Sequence, residues 1–353
     1  MKTPTGVAIA VRQPDGAIAV RDRPWQSLTQ RVRPLGWPFL RGIVVLVESL
    51  REGIDGLRFS AEVAVGDEPE GEKRSDKGSG KFSANLALLL GVLIAIVLFK
   101  AIPHYIALWL GLSPTETLFH VVDGAVKLTL VVGYIAAISR MKDIQRVFMY
   151  HGAEHKSIRA FEEGAVQFAR GEGNAATVDA TSRHKVAGEQ LVEAAASYSR
   201  LHERCGTSFI IVVVIASVLV YIAASPLIPR GINGGILFQA ALIGAKILLL
   251  GPVAAIAYEI NRLAGKYWRS PFAKLVSWPG LLMQKLLTTR EPSPDQLEVA
   301  LSSLLIALSH PAAQGAGAGS KPSEWRLRRF PDFEAIVEAT ADGAADRERS
   351  EAE

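Results

Sequence analysis

The chain is poor in cysteine, with a single residue, Cys205, in 353, so an internal disulfide framework is excluded. A lone thiol fits a group kept reduced on the cytoplasmic side of a membrane. Lysine and arginine are nowhere interleaved with aromatics in the manner of a nucleic-acid surface, which sets that class of partner aside. No apolar run long enough to cross a bilayer begins before about residue 84, too far in for a cleavable signal peptide, so export is not expected. Internal repeats are absent too. What the sequence has is apolar material in blocks: 49% of residues are hydrophobic, and the net charge is a modest +4. That combination places the chain in the membrane class.

Taken in order, Val7–Arg12 and Ala17–Arg21 are strand-like runs joined by the turn signal Pro14-Asp15-Gly16, and predict a short N-terminal β-hairpin. From Leu40 to Leu57 the apolar residues Ile43, Val47, Leu50, Ile54 and Leu57 recur at helical spacing, the pattern of an amphipathic helix that lies on the membrane surface or packs on the soluble part. Residues 66–83 are charged and glycine-rich and read as a linker. Four spanning helices follow: Ala84–Ile102, ended by Pro103, then Leu118–Ser139, Phe209–Ser225, and Ile236–Ile260 with Pro252 as a candidate kink. Lysine and arginine crowd before the first span, after the second and after the fourth. The alternate loops hold little beyond Lys100 and Arg230. By the positive-inside rule both termini and the central loop face the cytoplasm of a multi-pass cell-membrane protein.

The expected organisation is mainly α. Residues 1–65 carry the hairpin and amphipathic helix, and 84–139 the first two spans. Residues 140–207 form a cytoplasmic loop domain, helical to about Glu162, polar over Gly171–Ala187 and helical again over Gln190–Leu201. Spans three and four occupy 208–260. Residues 261–309 hold helical segments, with a break at Trp278-Pro279-Gly280 and a helix from Ser293 to Ala307. Residues 310–353 read as a disordered tail.

Two short stretches carry chemistry. In a helix His151 and His155 lie one turn apart, so two imidazoles can grip one metal ion, and Glu154 lies within the same arc as a base or further ligand. His-x-x-Glu-His is also the inverted zinc-peptidase signature, although no distant glutamate ligand stands out here. The bland alternative is two surface histidines on a charged helix. His202 and Cys205 make a second ligand-type pair, with Thr207 or Ser208 placed to cap the third span. The helix terminus and Arg204 would favour a thiolate, leaving Cys205 as ligand, nucleophile or small buried residue. Joined, the stretches make a His151/His155/His202/Cys205 site for a divalent metal, zinc by its donors. Within the spans, His120, Asp123 and Lys127 share one face and Lys246 sits mid-span. They read as interhelical glue or as a substrate or ion path. Glu259–Arg262 is a further polar cluster at the end of the fourth span.

With these residues in view, the chain resembles the YqhQ-like family of bacterial membrane proteins, whose domain has no known function. The matching stretches are Arg41–Val44, Tyr150–Lys156, His202–Phe209, Ala257–Ile260, Pro279–Leu281, Thr288–Pro292 and Gln296–Ala300. Such proteins are described as predicted metal-dependent enzymes, which implies metal chemistry at the histidine motif. Family members begin with a glycine-rich segment reading like GGQAVIEGVMMR, of which Met1–Pro4 reads as the tail. Either an upstream start precedes this chain or this member lacks the segment. The family also has proline where this chain has Glu203.

Three readings follow. The first is a metal-dependent, hydrolase-like enzyme at the cytoplasmic membrane interface, acting on a lipid-linked or membrane-peptide substrate with Glu154 as base. The second is a non-catalytic scaffold, alone or as an oligomer, with a structural metal clip. The third is a small transporter built on Asp123, Lys127 and Lys246.

Overall fold

The computed structural model of the chain describes residues 1–65, 86, 89–165, 188–228, 235–267, 269–310 and 324–340. The expected linker at 66–83 and polar loop at 171–187 lie outside these residues.

The hairpin forms as its pattern dictates. Strands β1 (Gly6–Arg12) and β2 (Ile18–Pro24) pair antiparallel from Gly6↔Pro24 to Arg12↔Ile18. Gly16, at φ 93°, closes the turn, and the Asp15 carboxylate accepts from the Ala17 amide at 3.1 Å. The sheet has a third member that departs from expectation. β3 (Arg326–Phe330) pairs antiparallel with β2, and a helix over 333–340, labelled α10 below, follows it. These residues fall in the expected disordered tail. The Ala/Gly/Ser-rich stretch before them hides a return to the sheet that only a long-range pairing reveals.

Helix α1 (Leu40–Val65) follows the hairpin. Four helices are long and apolar enough to cross a membrane: α2 (Leu89–Trp109), α3 (Thr117–Ile138), α6 (Gly206–Ala224, carried on to Leu227 by a 3-10 turn) and α7 (Ile236–Lys266). Pro103 does not end the first of them. A π-helical turn over Val97–Ala101 precedes it, shifting the carbonyls that a proline ring would otherwise meet, and the helix continues to Trp109. α7 breaks at Leu249, directly after Leu248, whose carbonyl would meet the Pro252 ring in an unbroken helix. The spans join through Val212, Ala216 and Tyr221 packed against Val253 and Ala257.

Outside the spans the chain builds a core on α9 (Pro294–Leu308). Ser293 and Gln296 form a capping box, with Asp295 in the first turn. Leu297, Leu301, Leu305 and Ile306 are buried against Ala8, Ile18 and Val20 of the sheet. Ala153 and Ala160 of α4 (Lys142–Glu162) close the same core, as do residues of α5 (Gly188–Ala196) and of α10. Each leucine, isoleucine or valine side chain withdrawn from water there stabilises the fold by about 1.5–3 kcal/mol. α5 ends at Ala196, so Ser197–Leu201, expected to be helical, is not, and α4 starts at Lys142 after a short break behind α3. α8 (Pro271–Met283) runs through Pro279 where a break was expected, then continues as a π-helical turn over Gln284–Thr288. It is capped by the Ser270 hydroxyl and locked by Gly280, which rests directly on Ser208 of α6.

Candidate metal centre

α4 brings His151 and His155 to one face, ring centroids 4.4 Å apart, and the turn before α6 brings Cys205 to them. The metal-ligating atoms of His151, His155 and Cys205 all lie within 4.8 Å of one another. His151 Nε2 is 3.1 Å from the Cys205 sulfur.

Two backbone carbonyls fix which ring nitrogens face inward. A carbonyl only accepts, so the 2.7 Å contact of His151 Nδ1 with the Thr288 oxygen puts a proton on that nitrogen. His155 Nδ1 donates in the same way to the Arg200 oxygen at 2.7 Å. Both rings therefore turn Nε2 toward the thiol, the arrangement in which metal-binding histidines are oriented by an acceptor behind them.

The carbonyls are themselves held in place. Arg200 donates to the Thr289 hydroxyl at 3.0 Å, and the Arg290 amide donates to the Phe148 oxygen of α4 at 2.9 Å. At Gly152 a Cβ would sit 2.2 Å from the Arg290 oxygen, so only glycine lets α4 lie this close to the strap that carries the Thr288 carbonyl. Gln284, wholly buried in the π-helical turn, accepts from the His202 amide at 2.9 Å and donates to the His202 oxygen at 3.0 Å, pinning the approach to Cys205.

Cys205, not Thr207 or Ser208, is the N-cap of α6, and its sulfur accepts from the Thr207 amide. Burial resists charge on either member of the His151–Cys205 pair, raising the thiol and lowering the imidazole, but the pairing prevails. With His151 and His155 beside it the thiol falls to about 5, and contact with the sulfur lifts His151 above its ordinary value. The α6 terminus favours the same thiolate.

The other expected residues stand differently. The His202 ring lies 5.6 Å from that of His155, but its Nε2 faces Glu162 at 3.4 Å, outside the group of three. Burial holds His202 below its ordinary pKa despite Glu162. Glu162 also receives Arg204 at 2.7 Å. Sequence reading passed over this glutamate because it lies beyond the motif by two helical turns. Glu154 is exposed on α4 and makes no hydrogen bond among the described residues. Within the spans Asp123 joins both lysines, Oδ2 to Lys127 at 3.0 Å and Oδ1 to Lys246 at 2.9 Å. Lys100, expected in a loop, is buried and donates to the Tyr221 hydroxyl at 3.0 Å. Glu259 is bound by Arg41 of α1.

Residues 37–170 and 184–310 match the family described as "Protein of unknown function (DUF1385)". The chain belongs to the DUF1385 family. Among curated relatives, the "Uncharacterized protein YqhQ" of Bacillus subtilis (strain 168) is 31% identical over 308 residues, covering 83% of this chain and 84% of that one. No solved structure matches this DUF1385 chain significantly. The metal-type cluster and the strap from Thr288 to Arg290 all fall inside the family-matched residues.

Proposed function

We propose that this chain is a cell-membrane protein holding a divalent metal, zinc by its donors, at His151, His155 and Cys205 on the cytoplasmic face. There it acts as a metal-dependent hydrolase on a lipid-linked or membrane-peptide substrate. The observation that carries the reading is the convergence of two Nε2 atoms and one sulfur within 4.8 Å, with both Nδ1–H groups committed to carbonyls. Imidazole and thiolate donors suit zinc, and three protein donors is the number that catalytic zinc sites use, whereas structural clips close with four. When bound, zinc supplies Lewis acidity and a source of hydroxide near neutral pH.

The chain's own groups then have defined tasks. The Thr288 and Arg200 carbonyls hold the ring tautomers, and the α6 terminus and His151 keep the thiol ionised. His202 and Glu162 form the wall beside His155. Glu154, on the same helix and open to solvent, is the candidate proton acceptor. The cytoplasmic orientation rests on the lysine and arginine excess flanking the spans, including Arg140, Lys142 and Arg146 next to the site.

A non-catalytic metal clip is the second reading, and the solvent exposure of Glu154 is the observation that favours it. Metal content of detergent-purified protein, measured by mass spectrometry without chelators, tests what both share. About one transition metal per chain is expected, lost in His151→Ala/His155→Ala; a metal-free wild type would overturn both. Glu154→Gln separates them: metal retained with hydrolysis abolished supports the enzyme, and hydrolysis unchanged removes the base.

A further inference from the structure

α1 touches both the sheet and α7, and among the described residues one of its faces is uncovered. Its C-terminal half packs Phe59 and Val63 against Ala19, Ile9 and Val11 of the sheet. Its N-terminal end is fastened to the spanning helix α7: Gly42 sits on the Tyr258 side chain, where a Cβ would be 2.8 Å away, and Arg41 Nε donates to Glu259 at 2.7 Å. Turned away from the sheet is the apolar stripe found in the sequence, with Val47 62%, Leu50 67% and Leu57 74% exposed. Trp37 and Phe39, just before the helix, are exposed as well. The neighbouring stretch 66–85 is charged and glycine-rich, with no apolar run to cover such a stripe.

Beside the stripe, between α1 and the segment leaving β2, is a cavity of about 310 Å³. Ile43 and Val47 belong to both the stripe and the cavity wall, which Arg23, Gln26, Glu48, Arg51 and Glu52 also line. Arg23 Nη2 pairs with Glu52 Oε1 there at 2.5 Å, and among the described residues Arg23 Nε, Gln26 Oε1 and Glu52 Oε2 have no hydrogen-bond partner of their own. Arg51 is exposed and makes no ion pair among the described residues. An unpaired buried polar atom is completed by a ligand group or by water, and the cavity has the size of a small-ligand site.

We propose that this cavity holds the head group of an anionic, hydroxyl-bearing glycerophospholipid, with its acyl chains along the stripe of α1. The phosphate accepts from Arg23 and Arg51, and head-group hydroxyls donate to Gln26 and Glu52. A choline head has no hydrogen to donate, so the two acceptors discriminate against it. Continuity with α7 places the stripe where a bilayer begins. Trp37 and Phe39 are residues of the kind that settle at that interface, and Arg31 and Arg33 suit its anionic surface.

Native mass spectrometry of the full chain, given equal phosphatidylglycerol and phosphatidylcholine, tests this. The wild type is expected to retain phosphatidylglycerol several-fold over phosphatidylcholine, and Arg51→Ala/Gln26→Leu to lose that preference with an unchanged melting temperature. Should the double variant fail to fold, Arg51→Glu, at an exposed position, gives the same readout. Equal uptake of the two lipids by the wild type, or an undiminished preference in the folded variants, would overturn the proposal. Retention of soluble glycerol phosphate with neither lipid would overturn it equally.

Discussion

At the scale of single residues, the candidate centre depends on groups that are not themselves donors. The Thr288 and Arg200 oxygens choose the tautomer of each histidine, and Gln284 holds the His202–Cys205 turn by its backbone. Gln284→Leu keeps every proposed ligand yet is expected to weaken metal binding, because the turn that presents Cys205 loses both hydrogen bonds that pin it. Competition with a chromophoric chelator measures it, and unchanged affinity would count against the positioning role. Asp123 is the corresponding anchor within the spans. Asp123→Asn leaves two buried ammonium groups without their carboxylate, and breaking a buried pair costs about 3–5 kcal/mol, read as a large fall in melting temperature in detergent. The His151/His155 pair was legible in the sequence because helical spacing alone puts the rings together. Its union with Cys205 rested on topology, and the thiol's capping role was not legible, since serine and threonine next to it are the commoner caps. Lys100 was misplaced for a similar reason. Proline at 103 signals a helix end, and the π-helical turn that cancels it leaves no mark in composition.

At the scale of elements, the turns and the hydropathy blocks announced the hairpin and four long apolar helices, whereas they did not announce pairings distant in sequence. β3 is joined to β2 by charge that no local pattern displays. Asp22 is fully buried, Arg328 Nη2 reaches it at 2.8 Å, and His310 Nε2 lies 2.9 Å away. Burial raises the Asp22 carboxyl, but His310 and Arg328 outweigh it and hold the group below its ordinary value of 3.8. The pairing therefore stabilises the fold above that ordinary value and is lost as pH falls through the lower folded one. Asp22→Asn is expected to lower the melting temperature at neutral pH and to flatten its fall in acid; a variant that melts with the wild-type acid profile would contradict this. Gly152 makes the same argument inside the centre. Gly152→Ala forces α4 off the Arg290 carbonyl and should reduce bound metal with all three proposed ligands intact, as metal analysis would show.

At the scale of the whole molecule, the fold sets a core of sheet, α4, α5, α9 and α10 against four apolar helices, and the candidate centre lies at the join. α4 enters it from the end of α3, Cys205 from the start of α6, and the Thr288 strap from the end of α8. Three chain segments far apart in sequence thus meet beside the ends of two long apolar helices, α3 and α6. A metal held there on two imidazoles and a thiolate would show in X-ray absorption at the zinc edge of the metal-loaded, detergent-purified chain. One sulfur at about 2.3 Å with nitrogen or oxygen neighbours at about 2.0–2.1 Å is expected, and loss of the sulfur shell in Cys205→Ser. A shell of nitrogen and oxygen alone, identical in wild type and Cys205→Ser, would contradict it.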